Sequence, residues 1–226
     1  MGIKISPTVY YCKLSDTDID SLALSYLPRE RQGRIANCVR KQNGAQMYVS
    51  SMLCDCVLRQ YGSSLSHVKQ GEHGKPYVEG ELYFNLSHSG EYVVMAVGDR
   101  PLGIDVEKKK YLSPTVAKAF LNPRELEYVT ARPELPLTSL WCRKEAFLKC
   151  LGYGWVKETA NRTSVLEESF LFEQEHYSFR EYEIDENYFL TVCETGQVRG
   201  EFSIEEVSKS ELERRFCEYC RNDPRK

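Results

Sequence analysis

Apolar positions along the chain fall into short runs whose spacing switches between the period of strands and that of helices. Tyr92-Val93-Val94-Met95-Ala96-Val97 has no polar position, which predicts a strand buried on both faces. Turn residues follow from Gly98 to Gly103, and Ile104-Asp105-Val106-Glu107 then alternates strictly. A strand there puts Asp105 and Glu107 on one face and Ile104 and Val106 on the other. Upstream, the pattern predicts an opening strand from Ile3 to Lys13, a helix cap at Ser15 to Asp18, and a basic helical region holding Arg29, Arg31, Arg34, Arg40 and Lys41. A buried helix from Ala45 to Tyr61, a turn from Gly71 to Pro76 and a strand edge from Tyr77 to Phe84 complete this half.

The second half repeats the order. A strand from Leu102 to Glu107 precedes helical signals from Ser113 to Ala131, a strong helix from Thr138 to Leu151, and closing strands. Tyr188 to Cys193 lies about 96 residues after Tyr92 to Val97, each following a helix and a turn-rich stretch, and this reads as an internal duplication. The expected architecture is α/β (α+β), two similar halves each with a small sheet packed by helices. The boundary falls in the Gly98 to Gly103 turn, giving 1–100 and 101–226. Asp105 and Glu107 then sit beside a crevice between halves, a common place for ligands.

With 226 residues, 42% of them hydrophobic, the chain can bury a sizeable core. Its formal net charge of −3 argues against a nucleic-acid binder held by phosphate contacts. No run approaches the roughly 18 apolar residues of a membrane span, and the first residues lack the apolar stretch of a signal peptide, so a cytoplasmic monomer is expected. Nine cysteines in such a chain read as reduced thiols. Zinc at Cys54-Asp55-Cys56 or Cys217-Glu218-Tyr219-Cys220 is the lesser alternative, because neither has a matching second pair and both lie in helical segments.

Glu145 and Lys149 stand four apart in Trp141 to Lys149 and share a helix face, which taken alone describes an exposed ion pair. Asp105 and Glu107 taken alone describe a solvated strand face. A third carboxylate changes the picture. Three acidic side chains without histidine or thiolate partners suit a hard divalent ion such as magnesium, which keeps waters and binds substrate phosphates. Lys75 on its turn, the Ser87-His88-Ser89-Gly90 stretch and Lys149 offer the cations and donors that phosphate needs.

The ordered set Gly74-Lys75-Pro76, Phe84-Asn85-Leu86-Ser87-His88-Ser89, Gly103-Ile104-Asp105-Val106-Glu107, and Trp141 with Lys144, Glu145, Ala146 and Lys149, resembles the surfactin-type 4'-phosphopantetheinyl transferases. The strong part covers about residues 70 to 155. The resemblance implies a pseudo-twofold protein with coenzyme A and magnesium between its halves. It also implies transfer of the phosphopantetheine arm to a serine of an acyl or peptidyl carrier protein, with release of 3',5'-ADP. Residue by residue, it assigns Asp105, Glu107 and Glu145 to magnesium and Lys149 to the pyrophosphate. Lys75, Ser87 and His88 match coenzyme A positions, and Glu125 matches an acidic position of less settled role. Arg31 and Arg34 take the place of cations on the 3'-phosphate. Family members often carry a further arginine in the next helix, where this chain reads Asn43-Gly44-Ala45-Gln46-Met47, leaving Arg40 or Lys41 as substitutes. Glu145, Lys149 and His88 would form the catalytic group, with Glu145 taking the serine proton through a metal-bound water. The carrier would dock after Glu107, on Tyr111, Leu112, Val116 and Phe120 beside Lys108 to Lys110. A magnesium-dependent phosphohydrolase or nucleotidyl enzyme, or a non-catalytic carrier-binding module, would use the same residue types.

Overall fold

The computed structural model describes residues 5–153, 157–197 and 200–222. Ile3 and Lys4 of the predicted first strand lie outside these residues. The chain runs β1 (Thr8–Lys13), α1 (Ser21–Tyr26), α2 (Arg29–Ala36), α3 (Lys41–Gln60), a small hairpin of β2 (Lys69–Gln70) and β3 (Pro76–Tyr77), β4 (Tyr83–Ser89) and β5 (Tyr92–Gly98). It continues through β6 (Leu102–Lys108), α4 (Pro114–Phe120), α5 (Pro123–Thr130), α6 (Leu137–Leu151), α7 (Lys157–Arg162), β7 (Ser169–Phe172), β8 (Glu175–Tyr182), β9 (Tyr188–Thr195), β10 (Ser203–Glu206) and α8 (Lys209–Arg221).

Two four-stranded sheets result, ordered β10-β1-β5-β4 and β6-β9-β8-β7. Within them, β1-β5-β4 and β6-β9-β8 share one strand order, with every pairing antiparallel. This is the repetition that the sequence pattern announced. The sheets pack on each other through Val9, Tyr92, Val94 and Ala96 on one side and Leu102, Ile104, Val106, Leu190 and Val192 on the other. Helices cover the outer faces: α3 and α8 pack with Val93, Met95 and Val97, while α6 packs on the second sheet. Hence β5 shows no alternation. Its odd residues face helices and its even residues face the other sheet, so every position is buried.

Several boundaries differ from the sequence reading for local reasons. The first helix is capped by Asp20, whose side chain accepts from Ala23 N, rather than by residues 15–18. Asp16 instead pairs with Lys209 of α8. The predicted helical stretch from 113 to 131 is two helices, because Asn122 forms a capping box with Glu125 and Pro123 takes the first helical position. The predicted boundary at 100–101 falls in the turn between β5 and β6, yet the last strand and helix return to the first sheet. There β10 runs parallel to β1, and α8 buries Leu212, Phe216, Cys217 and Cys220 against the α3 side. None of the nine cysteines is in a disulfide. Among the described residues no helix is long and apolar enough to cross a membrane.

Candidate active site

Strand β6 lies against α6 because Gly103 allows it: a Cβ there would collide with the backbone of Ala146 and Cys150. With Leu102, Ile104 and Val106 turned into the space between the sheets, Asp105 and Glu107 are turned toward α6, which carries Glu145 and Lys149. Asp105 is 4% exposed. Its Oδ1 accepts from Lys149 Nζ at 2.6 Å and from Ser87 Oγ at 2.7 Å, and Lys149 Nζ also donates to Ser87 Oγ at 2.9 Å. The three groups form a closed triangle. Glu107 Oε1 accepts from Trp141 Nε1 at 3.0 Å, and its Oε2 accepts from Ser89 Oγ at 3.1 Å and Lys110 Nζ at 3.4 Å.

These bonds cross between the halves. Strands β4 and β6 are edge strands of different sheets, and side chains on alternate positions of β4 join them. Asn85 Oδ1 accepts from Ile104 N at 3.1 Å, Ser87 bonds Asp105, and Ser89 bonds Glu107. The intervening residues Leu86 and His88 point the other way, into a cavity of about 490 Å³. Ser87 and His88, adjacent in sequence, therefore serve opposite sides of one strand.

The cavity is lined by Arg31 and Arg34 of α2, by Asn43, Gln46 and Ser50 of α3, and by Pro76 and His88. It unites three of the residues that the resemblance assigns to coenzyme A. Arg40 and Lys41 are exposed and do not line it. In the 43–47 stretch, where the further arginine of the family is absent, Gln46 donates to Gly90 O at 2.8 Å and so steadies the β4–β5 turn. Partial desolvation holds the His88 imidazole below the usual histidine range, and the Lys149 ammonium adds to this. Lys75 is turned away from the cavity: its Nζ donates to Leu102 O at 2.8 Å and Cys150 O at 3.2 Å.

Whether the carboxylates fit a divalent cation rests on two features. Asp105 Oδ2 is buried and has no hydrogen-bond partner among the described residues, so an acceptor there awaits a donor or a cation. Glu145 is pushed up to about 7, first by burial and then by the charge of Asp105, with Glu107 adding to it. The carboxylates thus repel one another across a shared space. Among the described residues no group of three or more His, Cys, Asp or Glu side chains forms a ready-made metal cage. An open carboxylate set is what magnesium accepts when waters and substrate oxygens complete its shell. The residues fit the ion in that form, and not as a closed site.

Glu125 lies elsewhere. It is fully buried, pairs with Lys144 Nζ at 2.8 Å, and accepts from Asn122 N and Val165 N. Lys144 also donates to the carbonyls of Ala160 and Thr163. The pair ties α5 and α6 to the 160–165 segment, a structural task. In the expected docking segment, Tyr111 is 87% exposed and Val116 45%, but Phe120 is fully buried edge-on against Trp141 and offers no anchor. Asn85, Ser89 and Trp141 stand in the motifs quoted from the sequence and Gln46 in the 43–47 stretch, but none was given its bridging task there; the period of two along β4 could have flagged the first two.

A family model described as the 4'-phosphopantetheinyl transferase superfamily matches residues 101–193. A 4'-phosphopantetheinyl transferase of Bacillus subtilis is 30% identical over 183 residues, covering 73% of this chain and 80% of that protein. The 4'-phosphopantetheinyl transferase gsp of Aneurinibacillus migulanus is 24% identical over 216 residues, 87% of this chain and 88% of its own. The 4'-phosphopantetheinyl transferase Sfp of Bacillus subtilis strain 168 is 31% identical over 140 residues, 58% of this chain and 62% of its own. With this similarity running through both sheets and over the carboxylate strand, the chain belongs to the 4'-phosphopantetheinyl transferase family.

Proposed function

We propose that this protein transfers the 4'-phosphopantetheine group of coenzyme A to a serine hydroxyl of an apo acyl or peptidyl carrier protein and releases 3',5'-ADP. The observation that carries this reading is the Ser87–Asp105–Lys149 triangle, which links a cationic cavity in one half to a carboxylate cluster in the other. A substrate with a phosphorylated nucleotide at one end and a pyrophosphate beyond it matches such a pair of sites. Arg31 and Arg34 hold the 3'-phosphate by charge-assisted bonds, and His88 donates to a phosphate oxygen from the cavity wall. Ser87 and Lys149 stand where the pyrophosphate enters the crevice.

Asp105, Glu107 and Glu145 would hold magnesium, which when bound offsets charge on the pyrophosphate oxygens. Trp141 and Ser89 orient Glu107 by hydrogen bonds, leaving the carboxylate poised rather than free to rotate. Lys149 follows the charge: paired with Asp105 beforehand, its ammonium would stabilise the leaving phosphate. The serine proton needs an acceptor, and Glu145 receives it through an intervening water. In the transfer, the serine oxygen forms a bond to the β-phosphorus of coenzyme A as the bond to the bridging pyrophosphate oxygen breaks.

Incubation with magnesium, coenzyme A and a panel of apo carrier proteins, read by intact mass, tests the reading. One phosphopantetheine adduct on a carrier serine, with 3',5'-ADP released in equal amount, is expected. Cleavage of coenzyme A without any carrier would instead assign a phosphohydrolase.

A further inference from the structure

Strand β6 ends its sheet, so its outward backbone groups have no strand partner. Side chains fill that place. Asn85 Oδ1 accepts from Ile104 N, Ser89 Oγ accepts from Lys108 N, and Lys149 Nζ donates to Ile104 O. Lys75 Nζ donates to Leu102 O at 2.8 Å, and at 3.2 Å to the carbonyl of Cys150 in the last turn of α6. One ammonium thus serves as a strand partner for β6 and as a cation at the C-terminal end of α6. The contact is wider than two bonds: a Cβ on Gly152 would lie 3.5 Å from Lys75 Cδ, and the rings of His73 and Tyr153 meet edge to face at 5.3 Å. The turn between β2 and β3 therefore grips the end of α6 from across the crevice. Pro76, the next residue, lines the nucleotide cavity, while Lys75 projects to the other side of the chain.

We propose that Lys75 is a positioning residue, a clamp between the halves that fixes Lys149 and Glu145 relative to the nucleotide cavity, and that its ammonium does not touch the substrate. The proposal rests on the transfer reaction read above and goes beyond it by separating Lys75 from the coenzyme A contacts. Lys149 directly precedes Cys150, so the carbonyl that Lys75 holds belongs to the turn of helix that presents Lys149. An apolar side chain cannot replace it, since it has no donors for two carbonyls of separate elements.

Lys75→Met keeps the stem and removes the donors, and Lys75→Arg keeps charge and donors. Affinity for adenosine 3'-monophosphate, which lacks the 5'-phosphate that Lys149 would meet, should be unchanged in both by titration calorimetry. Amide hydrogen exchange at residues 149–152, measured without substrate, should quicken in Lys75→Met and recover in part in Lys75→Arg. Turnover at saturating coenzyme A and carrier should fall by between about tenfold and a hundredfold in Lys75→Met, the loss expected when reacting groups are misplaced by about 1 Å. Loss of adenosine 3'-monophosphate affinity would overturn the proposal, because a clamp does not touch the nucleotide; unchanged exchange at residues 149–152 would overturn it too. If Lys75→Met does not fold, Lys75→Arg is judged by the same affinity and exchange criteria. Absence of turnover in the unsubstituted protein would count against the transfer reaction itself, and the exchange and affinity measurements would still decide the clamp.

Discussion

Lys149 Nζ stands 2.6 Å from Asp105 Oδ1, a pairing that joins the end of α6 to the middle of β6, while Glu145, its neighbour one helical turn away, is left to face the carboxylates. Removing the lysine strands a buried charge. Lys149→Met should destabilise the protein by about 2 kcal/mol, less than the full cost of breaking a buried pair because the lysine is 26% exposed. Magnesium should return part of that stability, since a cation at the same carboxylates compensates the charge. Urea denaturation with and without the ion checks this. Unchanged stability in the metal-free variant would mean that Asp105 does not depend on Lys149.

Glu145 makes the metal dependence a matter of pH. Its folded-state pKa, about 7, lies above the ordinary glutamate value of 4.5, so the folded state binds the proton more tightly than the unfolded state does. The stability this group contributes is therefore full below about 4.5 and is lost as pH rises toward 7, where the ionised carboxylate meets Asp105 and Glu107. Magnesium acts in the opposite direction because it needs the ionised form. The rise in melting temperature on adding magnesium should be larger at pH 8 than at pH 6, and Glu145→Gln should flatten that difference. An equal rise at both values would remove Glu145 from the metal site.

The buried pair of Glu125 and Lys144 gives a contrasting expectation. Glu125→Gln leaves the Lys144 ammonium without its counter-charge in a fully buried setting, so a loss of about 3 kcal/mol is expected. If the variant folds, its Michaelis constant for coenzyme A should stay as it was, because neither residue lines the cavity. Steady-state kinetics alongside thermal melting separate the two effects, and a raised Michaelis constant at normal stability would give Glu125 a substrate role.

These outcomes also show where the sequence was readable. The period of two in Ile104-Asp105-Val106-Glu107 revealed the carboxylate face, and the period of 3.6 located α6 to within a residue at its start, because both elements have one face buried and one polar. Reading β4 as ending near Phe84 hid the opposite aims of Ser87 and His88, which the same period reveals once the strand is extended to Ser89. Lys75 and the Glu125–Lys144 pair were beyond local pattern, since their partners lie far along the chain and only packing brings them together. The return of β10 and α8 was hidden for a similar reason: amphipathicity says that α8 buries one face, not which sheet it covers.

The arginines of α2 predict a preference among substrates. If Arg31 and Arg34 hold the 3'-phosphate, dephospho-coenzyme A should be used less well than coenzyme A, and the double variant Arg31→Ala with Arg34→Ala should erase the difference. Each charge-assisted bond is worth about 1.5–3 kcal/mol, so the preference should amount to tenfold or more, by about 1.4 kcal/mol per factor of ten. Comparing kcat/KM for the two substrates decides it. Equal use by the unsubstituted protein would leave the cavity without this role.

The three lysines after Glu107 should not behave alike. Lys110 Nζ is 3.4 Å from Glu107 Oε2, and Lys109 donates to the Glu186 carbonyl while its ammonium sits 4.8 Å from the Phe189 ring. Lys108 lies over Tyr188 at a looser 5.8 Å. Beside them, Tyr111 and Leu112 open a groove of about 380 Å³ shared with Leu126, Val129 and Leu137. A carrier docked there would meet apolar anchors at the groove and positive charge at Lys108 and Lys109. Lys108→Ala with Lys109→Ala should then slow carrier association, with the loss shrinking as salt rises, because exposed charges are screened beyond about 10 Å at roughly 0.1 M. Tyr111→Ala should raise the Michaelis constant for carrier at every salt concentration, since an apolar contact sets how long the complex lasts. Lys110→Ala belongs to a different class: it removes one of the two donors to Glu107 Oε2, leaving Ser89 Oγ, and should change the magnesium requirement rather than the carrier's Michaelis constant. Stopped-flow association and steady-state kinetics with a purified apo carrier, across salt and magnesium series, separate the three. Were Lys110→Ala to behave as the Lys108 and Lys109 pair does, Glu107 would not depend on it, and the whole run would belong to the docking face.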